Sequence, residues 1–137
     1  MADSALPLLQ AVVALLKAQP DIAALVGPRI YGAAPSKGSA VKYPFMLVTC
    51  DSAPFAADSF SGMEHTLRIQ AFARESKPGT VLTLRKLAFD AIDRKEINLA
   101  LPNSQLILAE FDGIATAFPE PDGRTYQSLI EFKVLVN

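Results

Sequence analysis

The sequence predicts an α+β fold: a two-layer sandwich in which a mainly antiparallel β-sheet carries two main α-helices on one face. Two observations predict the elements and a third predicts their arrangement. Apolar residues recur at helical spacing in two segments, around 9–16 and 81–91. Continuous or alternating apolar runs mark strands at about 45–50, 67–72, 105–118 and 125–136. The strands follow one another mostly across turns, which is antiparallel connectivity, and one sheet face can cover both helical stripes.

Ser4 is the candidate N-cap of the first helix, and Pro7 is tolerated in its first turn. Leu9, Val12, Val13 and Leu16 share one face, Lys17 suits the C-terminal end, and Pro20 closes the segment. Asp21 is placed to cap a short turn from Ile22 to Val26, which Gly27-Pro28 ends. Arg29 to Tyr31 is long enough only for an edge strand. Residues 32–42 form a loop of small residues with proline and lysine. Tyr43-Pro44 forces an extended entry into Phe45 to Cys50, a strand expected to be central or covered on both faces.

The stretch "DSAPFAADSFSG", residues 51–62, reads as a second loop carrying Phe55 and Phe60. Leu67, Ile69 and Ala71 then alternate with Arg68, Gln70 and Phe72, a half-buried strand. Ser76 is the candidate cap of a helix in which Val81, Leu84, Leu87, Ala88 and Ala91 repeat opposite Lys86, Asp90 and Arg94. A polar connection, 95–104, leads to the last two strands. Between them, Pro119 to Gly123 is a turn in which proline presets φ and Asp-Gly tolerates positive φ. The final strand sets Tyr126, Ser128, Ile130, Phe132, Val134 and Val136 against Gln127, Glu131 and Lys133.

The chain has 137 residues, half of them hydrophobic and 20% charged, which suits one domain spanning 1–137 with one core. The formal net charge of −1 supplies no basic excess to neutralise a run of phosphates, so the isolated chain is not expected to bind nucleic acid through its backbone charge. No apolar run approaches the ~20 residues needed to span a membrane as a helix. Asp3 and the early helical pattern argue against a secretory leader, and synthesis in the cytosol is expected.

Enzyme templates fail on residue supply. Cys50 and His65 are the single cysteine and histidine. Cys50 lies in an apolar strand with no electropositive neighbours in sequence and reads as a small buried hydrophobe. His65 opens a strand and reads as a solvated or edge-strand histidine; the two as nucleophile and base are a formal alternative. One His and one Cys give no metal-ligand spacing, and Glu120 and Asp122 read as solubilising turn residues rather than cation ligands. The glycines between Gly27 and Gly38 match no phosphate-loop or dinucleotide spacing. No catalytic residue, metal or cofactor is expected.

Three ordered pieces carry a resemblance. The first is Leu25-Val26-Gly27-Pro28-Arg29-Ile30-Tyr31, followed by a proline-containing loop and Tyr43-Pro44-Phe45. The second is the strand-then-helix unit from His65 to Asp93. The third is Glu120-Pro121-Asp122-Gly123 with Thr125-Tyr126 opening the final strand. Together they resemble the small tail-completion and tail-terminator proteins of long-tailed phages and gene transfer agents, otherwise described as a domain of unknown function in prophage head–tail joining clusters.

The resemblance implies a virion structural protein that is not an enzyme. It implies a six-fold ring on the head-proximal end of the tail tube that stops tube polymerisation. One ring face would dock the tail tube protein and the other the head-side stopper or connector. DNA would pass through the lumen without sequence-specific binding. Assembly from bacterial cytoplasm into the particle at the head–tail junction follows.

Exposure logic nominates contact residues. Loops Ala33–Val41 and Asp51–Gly62, with Phe55 and Phe60, are candidate ring-face contacts. The turn with Glu120 and Asp122 and the last strand are candidates for the subunit interface. Arg29, Tyr31, Lys37, Lys42 and Arg124 are candidate interface contacts. Each loop is also readable as a solvated connection. The alternatives are another ring of the same joint (stopper or adaptor), a tail-assembly factor, a small enzyme using Cys50 or His65, and a monomeric adaptor using the Phe55/Phe60 loop.

Overall fold

The computed structural model describes residues 4–33, 41–57, 60–75, 77–102 and 104–137, with backbone only at 55–57, 60 and 61. The elements are α1 (Ala5–Ala18), α2 (Pro20–Val26), β1 (Ile30–Tyr31), β2 (Phe45–Ala57), β3 (Phe60–Ala73), α3 (Gly79–Ile92), a 3₁₀ turn (Glu96–Asn98), β4 (Leu106–Pro119) and β5 (Tyr126–Val136). The strands form one five-stranded sheet in the order β1-β2-β3-β5-β4. Only the β1–β2 pair is parallel. The α+β sandwich expected from the sequence is what forms.

Helices α1, α2 and α3 touch one another and form one layer on the sheet. Leu8, Val12 and Leu16 of α1, Ile22 and Val26 of α2, and Val81, Leu84, Ala88 and Ile92 of α3 are buried in one core. The inner sheet face supplies Met46, Val48, Leu67, Ile69, Ala71, Ile130, Phe132 and Val134. Removing a buried side chain of this size costs about 2–5 kcal/mol on truncation to alanine, so this layer is the main source of stability. No single helix among the described residues is long and apolar enough to cross a membrane.

The structure corrects several details of the sequence reading. Residues 51–62 are not a loop: β2 and β3 run through most of them, paired from Phe45↔Phe72 out to Ala57↔Phe60. Pro54 is compatible because β2 has only one neighbouring strand there, and proline is tolerated on strand edges. Ser4 holds the N-cap position of α1 but makes no side-chain capping bond; its hydroxyl is used elsewhere. Pro20 begins α2 at its first position instead of only closing α1, and Gln19, not Asp21, is the N-cap. Ser76 lies outside the described residues. The Glu75 carboxylate accepts the Thr80 backbone N–H at 2.9 Å and the Thr80 hydroxyl at 3.0 Å, holding the first turn of α3.

The end of α3 is tied to the sheet margin. The Arg94 N–H donates to the Ala109 carbonyl of β4 at 2.8 Å, and the Phe111 N–H of β4 donates to Asp93 Oδ1 at 2.8 Å. Phe89 meets Phe111 edge-on at 5.6 Å between ring centres. At the other end of α3, the buried Ser128 hydroxyl of β5 donates to the Val81 carbonyl at 2.8 Å.

Candidate functional site

The three described helices lie in one layer, and no described helix covers the opposite sheet face. It displays Leu47 and Thr49 of β2, Glu64, Thr66, Arg68, Gln70 and Phe72 of β3, and Leu129, Glu131, Lys133 and Leu135 of β5, all half-buried. Cross-strand ion pairs lace its middle. Arg68 reaches Asp51 at 3.4 Å and Glu131 at 3.6 Å, and Lys133 approaches Glu64 at 3.8 Å. Pairs this exposed contribute about 0–1 kcal/mol each and act mainly to fix register and solubility.

One end of this face is aromatic. The β2–β3 register sets Phe45 opposite Phe72, and their rings stack at 4.8 Å with a 16° tilt. Tyr43 and Tyr31 lie 5.2 Å and 5.9 Å from Phe45. The Arg74 guanidinium sits 4.6 Å over the Tyr43 ring. The β4–β5 turn comes up beside this cluster, leaving a cleft of about 300 Å³ lined by Tyr43, Phe45, Phe72, Glu120, Pro121, Asp122 and Thr125.

The turn is built by Asp122. Its Oδ1 accepts the N–H groups of Arg124 and Thr125, each at 2.9 Å, and its Oδ2 accepts the Thr125 hydroxyl at 2.8 Å. These bonds, the Arg124 N–H foremost, hold the Asp122 carboxyl below the usual carboxylate range. Gly123 follows at φ 73°, the left-handed conformation that the Asp-Gly pair supplies.

The two sheet margins are unlike. β1 pairs with β2 at Met46 and Leu47, and no described strand lies outside β2 from Val48 onward. On the far side, the 93–94 corner covers β4 at Ala109 and Phe111, and no described strand covers Asp112 to Pro119. Ile114 is 44% exposed and Phe118 42% exposed there. A third feature, an apolar groove of about 540 Å³, runs along α1 between Leu6, Leu9, Val13 and Gly32.

His65 is the largest departure from the sequence reading. It is neither solvated nor at an edge: it lies in β3 between β2 and β5, with 0% of its surface exposed. The Ser4 hydroxyl is 2.7 Å from Nε2 and the Ser52 hydroxyl 2.7 Å from Nδ1. Ser52 is also 4.0 Å from the half-buried Cys50 Sγ. The signal was present in the sequence, since counting back by two from Leu67 puts His65 on the core face. Among the described residues, no three His, Cys, Asp or Glu side chains converge as a metal site.

The nominated contact residues divide. Tyr31, Glu120 and Asp122 meet at or beside the aromatic end. Arg124 and Lys42 are exposed nearby in sequence to it. Arg29 is half-buried, and its Nε donates to the Pro44 carbonyl at 2.8 Å, tying β1 to the entry of β2. Lys37 and the side chains of Phe55 and Phe60 lie outside the described residues. The nomination omitted Tyr43, Phe45, Phe72 and Arg74. Phe45 and Phe72 are 27 positions apart in sequence, and only strand pairing brings them together.

No curated protein matches the chain. Among solved structures, a chain from "Virion of native gene transfer agent (GTA) particle" shares the fold at a TM-score of 0.80 and 23% identity, over 94% of this chain and 93% of that one. The family model described as "Tail completion protein gp17" matches residues 10–137, from the second turn of α1 to the residue after β5. With the whole sheet, α2, α3 and all but the first turn of α1 inside that match, the chain belongs to the tail completion protein gp17 family.

Proposed function

We propose that this chain is a structural subunit of the virion or particle, assembled as a hexameric ring at the head-proximal end of the tail tube. There it terminates tube polymerisation and joins the tail to the head-side connector, with DNA passing through the lumen. Family membership supports the tail-completion role, and the fold shared with a chain of a gene transfer agent particle fits it. The observation that carries the ring reading is the pair of unlike sheet margins that no described strand covers, β2 beyond Leu47 and β4 beyond Phe111. A ring needs a heterologous interface, in which one surface of a subunit meets a different surface of the next. Unpaired strand edges invite such contact. The uncovered sheet face and the residues at its aromatic end, with Lys42 and Arg124, supply further contact surface for the tube and connector. The net charge of −1 suits a bore through which DNA slides.

Electron microscopy of particles made without this gene tests the reading. Filled heads without tails, beside free tubes of abnormal length, are the expected result. Tubes of normal length beside heads that have lost their DNA would instead assign the chain to a stopper or adaptor ring. Normal tailed particles would remove it from the joint altogether.

A further inference from the structure

We propose that the cleft between the aromatic end of the sheet and the 120–125 turn is a receptor for one arginine side chain presented by a partner protein. The cleft offers π faces and acceptors. Phe72 is half-buried at the cleft, its ring stacked on the buried Phe45, and Tyr43 flanks Phe45. Aromatic faces attract cations, and a planar guanidinium stacks on them better than an ammonium does. Glu120 faces the same space and makes no ion pair among the described residues. A carboxylate has about four acceptor positions; Asp122, which lines the cleft, spends three on its own turn and keeps one. The Thr125 hydroxyl is already spent as a donor to Asp122. Apart from the Tyr43 hydroxyl, which can donate or accept, the side-chain polar lining is made of acceptors and carries negative charge, which favours a cationic donor over an anion.

Arg74 supports the assignment from within the chain. Its guanidinium lies 4.6 Å over Tyr43, and it makes no ion pair among the described residues, so this cluster already holds one guanidinium by its ring face. Arg74 uses Tyr43 and does not line the cleft, which leaves Phe72 and Glu120 for an incoming group. At about 300 Å³ the cleft is at the small end for ligand sites, sized for one side chain and not for a folded segment. Arg74 and Arg124 oppose a second cation by their charge, so the site is expected to be weak alone and to act as one contact within a larger interface.

The test uses the isolated full-length chain and does not depend on the ring. Nα-acetyl-arginine amide is titrated while backbone amide NMR shifts are followed, with the neutral isostere Nα-acetyl-citrulline amide in parallel. Saturable shifts confined to Tyr43, Phe45, Phe72 and 120–125 are expected with the arginine probe only. Glu120→Gln is expected to weaken binding roughly fivefold, and Arg74→Ala to leave it unchanged or tighten it. Glu120 is at the surface of a turn, so its replacement leaves the fold intact, which the same spectra check. Equal shifts with citrulline, shifts spread over other carboxylates, or an unchanged response in Glu120→Gln would each overturn the proposal.

Discussion

The Ser4 hydroxyl lies 2.7 Å from Nε2 of His65, 61 positions away, and this contact fastens the start of α1 to the middle of the sheet. With Ser52 on the other ring nitrogen at 2.7 Å, both nitrogens of a fully buried imidazole are satisfied. A buried polar group left unpaired costs about 1–3 kcal/mol, and a cavity adds to that. His65→Ala is therefore expected to destabilise the chain by about 2–4 kcal/mol, and Ser4→Ala by about 1–2 kcal/mol, in urea unfolding. Loss of less than half a kilocalorie for both, on the scale typical of surface substitutions, would mean that the chain of hydroxyls and imidazole does not hold in solution.

Asp122 makes the β4–β5 turn sensitive to acid. Its carboxyl is depressed by the Arg124 and Thr125 donors, so the turn is stabilised by the ionised form. A depressed carboxyl contributes stability above its unfolded-state pKa and loses it as pH falls through the lower folded value. The turn is thus expected to be intact at neutral pH and to loosen only in acid, below the ordinary aspartate range. Amide shifts and exchange of Arg124 and Thr125 across a pH titration read this directly. In Asp122→Asn the acid transition should disappear; a transition that persists belongs to another group.

Gly62 is required by proximity. A Cβ built there would collide with the Val136 carbonyl oxygen and stand 3.1 Å from its carbon and 3.2 Å from Asn137 Cα. The obstacle is backbone, which cannot swing aside. Gly62→Ala is expected to cost about 1–3 kcal/mol by thermal or urea unfolding. A wild-type melting temperature would show that the end of β5 yields more easily than its pairing with Met63 suggests.

The exposed margin of β4 separates assembly from folding. Ile114→Lys and Phe118→Lys place charge on a strand stretch that no described strand covers, a common device against edge pairing. Unfolding free energy should stay within about 0.5 kcal/mol of wild type, while incorporation into particles falls. Complementation of a strain lacking the gene, scored by tailed particles, checks this. Full complementation by both variants would move the subunit contact away from β4.

The fold was legible where one physical signal acted alone. Leu67, Ile69 and Ala71 alternate without interruption, and so do Ile130, Phe132, Val134 and Val136; all seven are buried. It was not legible at 51–62, where Asp, Ser, Pro and Gly are turn formers by local preference. There the pairing of β2 with β3 overrides propensity. Turn chemistry at Pro119–Gly123 was readable because Asp122 and Gly123 act through their immediate neighbours. The aromatic cleft was not, because it joins the entry of β2, the end of β3 and the β4–β5 turn. Ser4 holds the N-cap position that local sequence indicates, but the partner of its hydroxyl was hidden for the same reason, since it lies in β3.

The corner at Asp93 and Arg94 has a mechanical consequence. A marginal strand held by a single neighbour yields to traction by peeling, one rung after another. β4 is gripped from both sides at Ala109 and Phe111, by β5 and by the end of α3, but only from one side past the irregularity between Phe111 and Ala115. A pull on the exposed end would therefore unzip Ala115 to Pro119 and arrest at the corner, sparing the helical layer behind it.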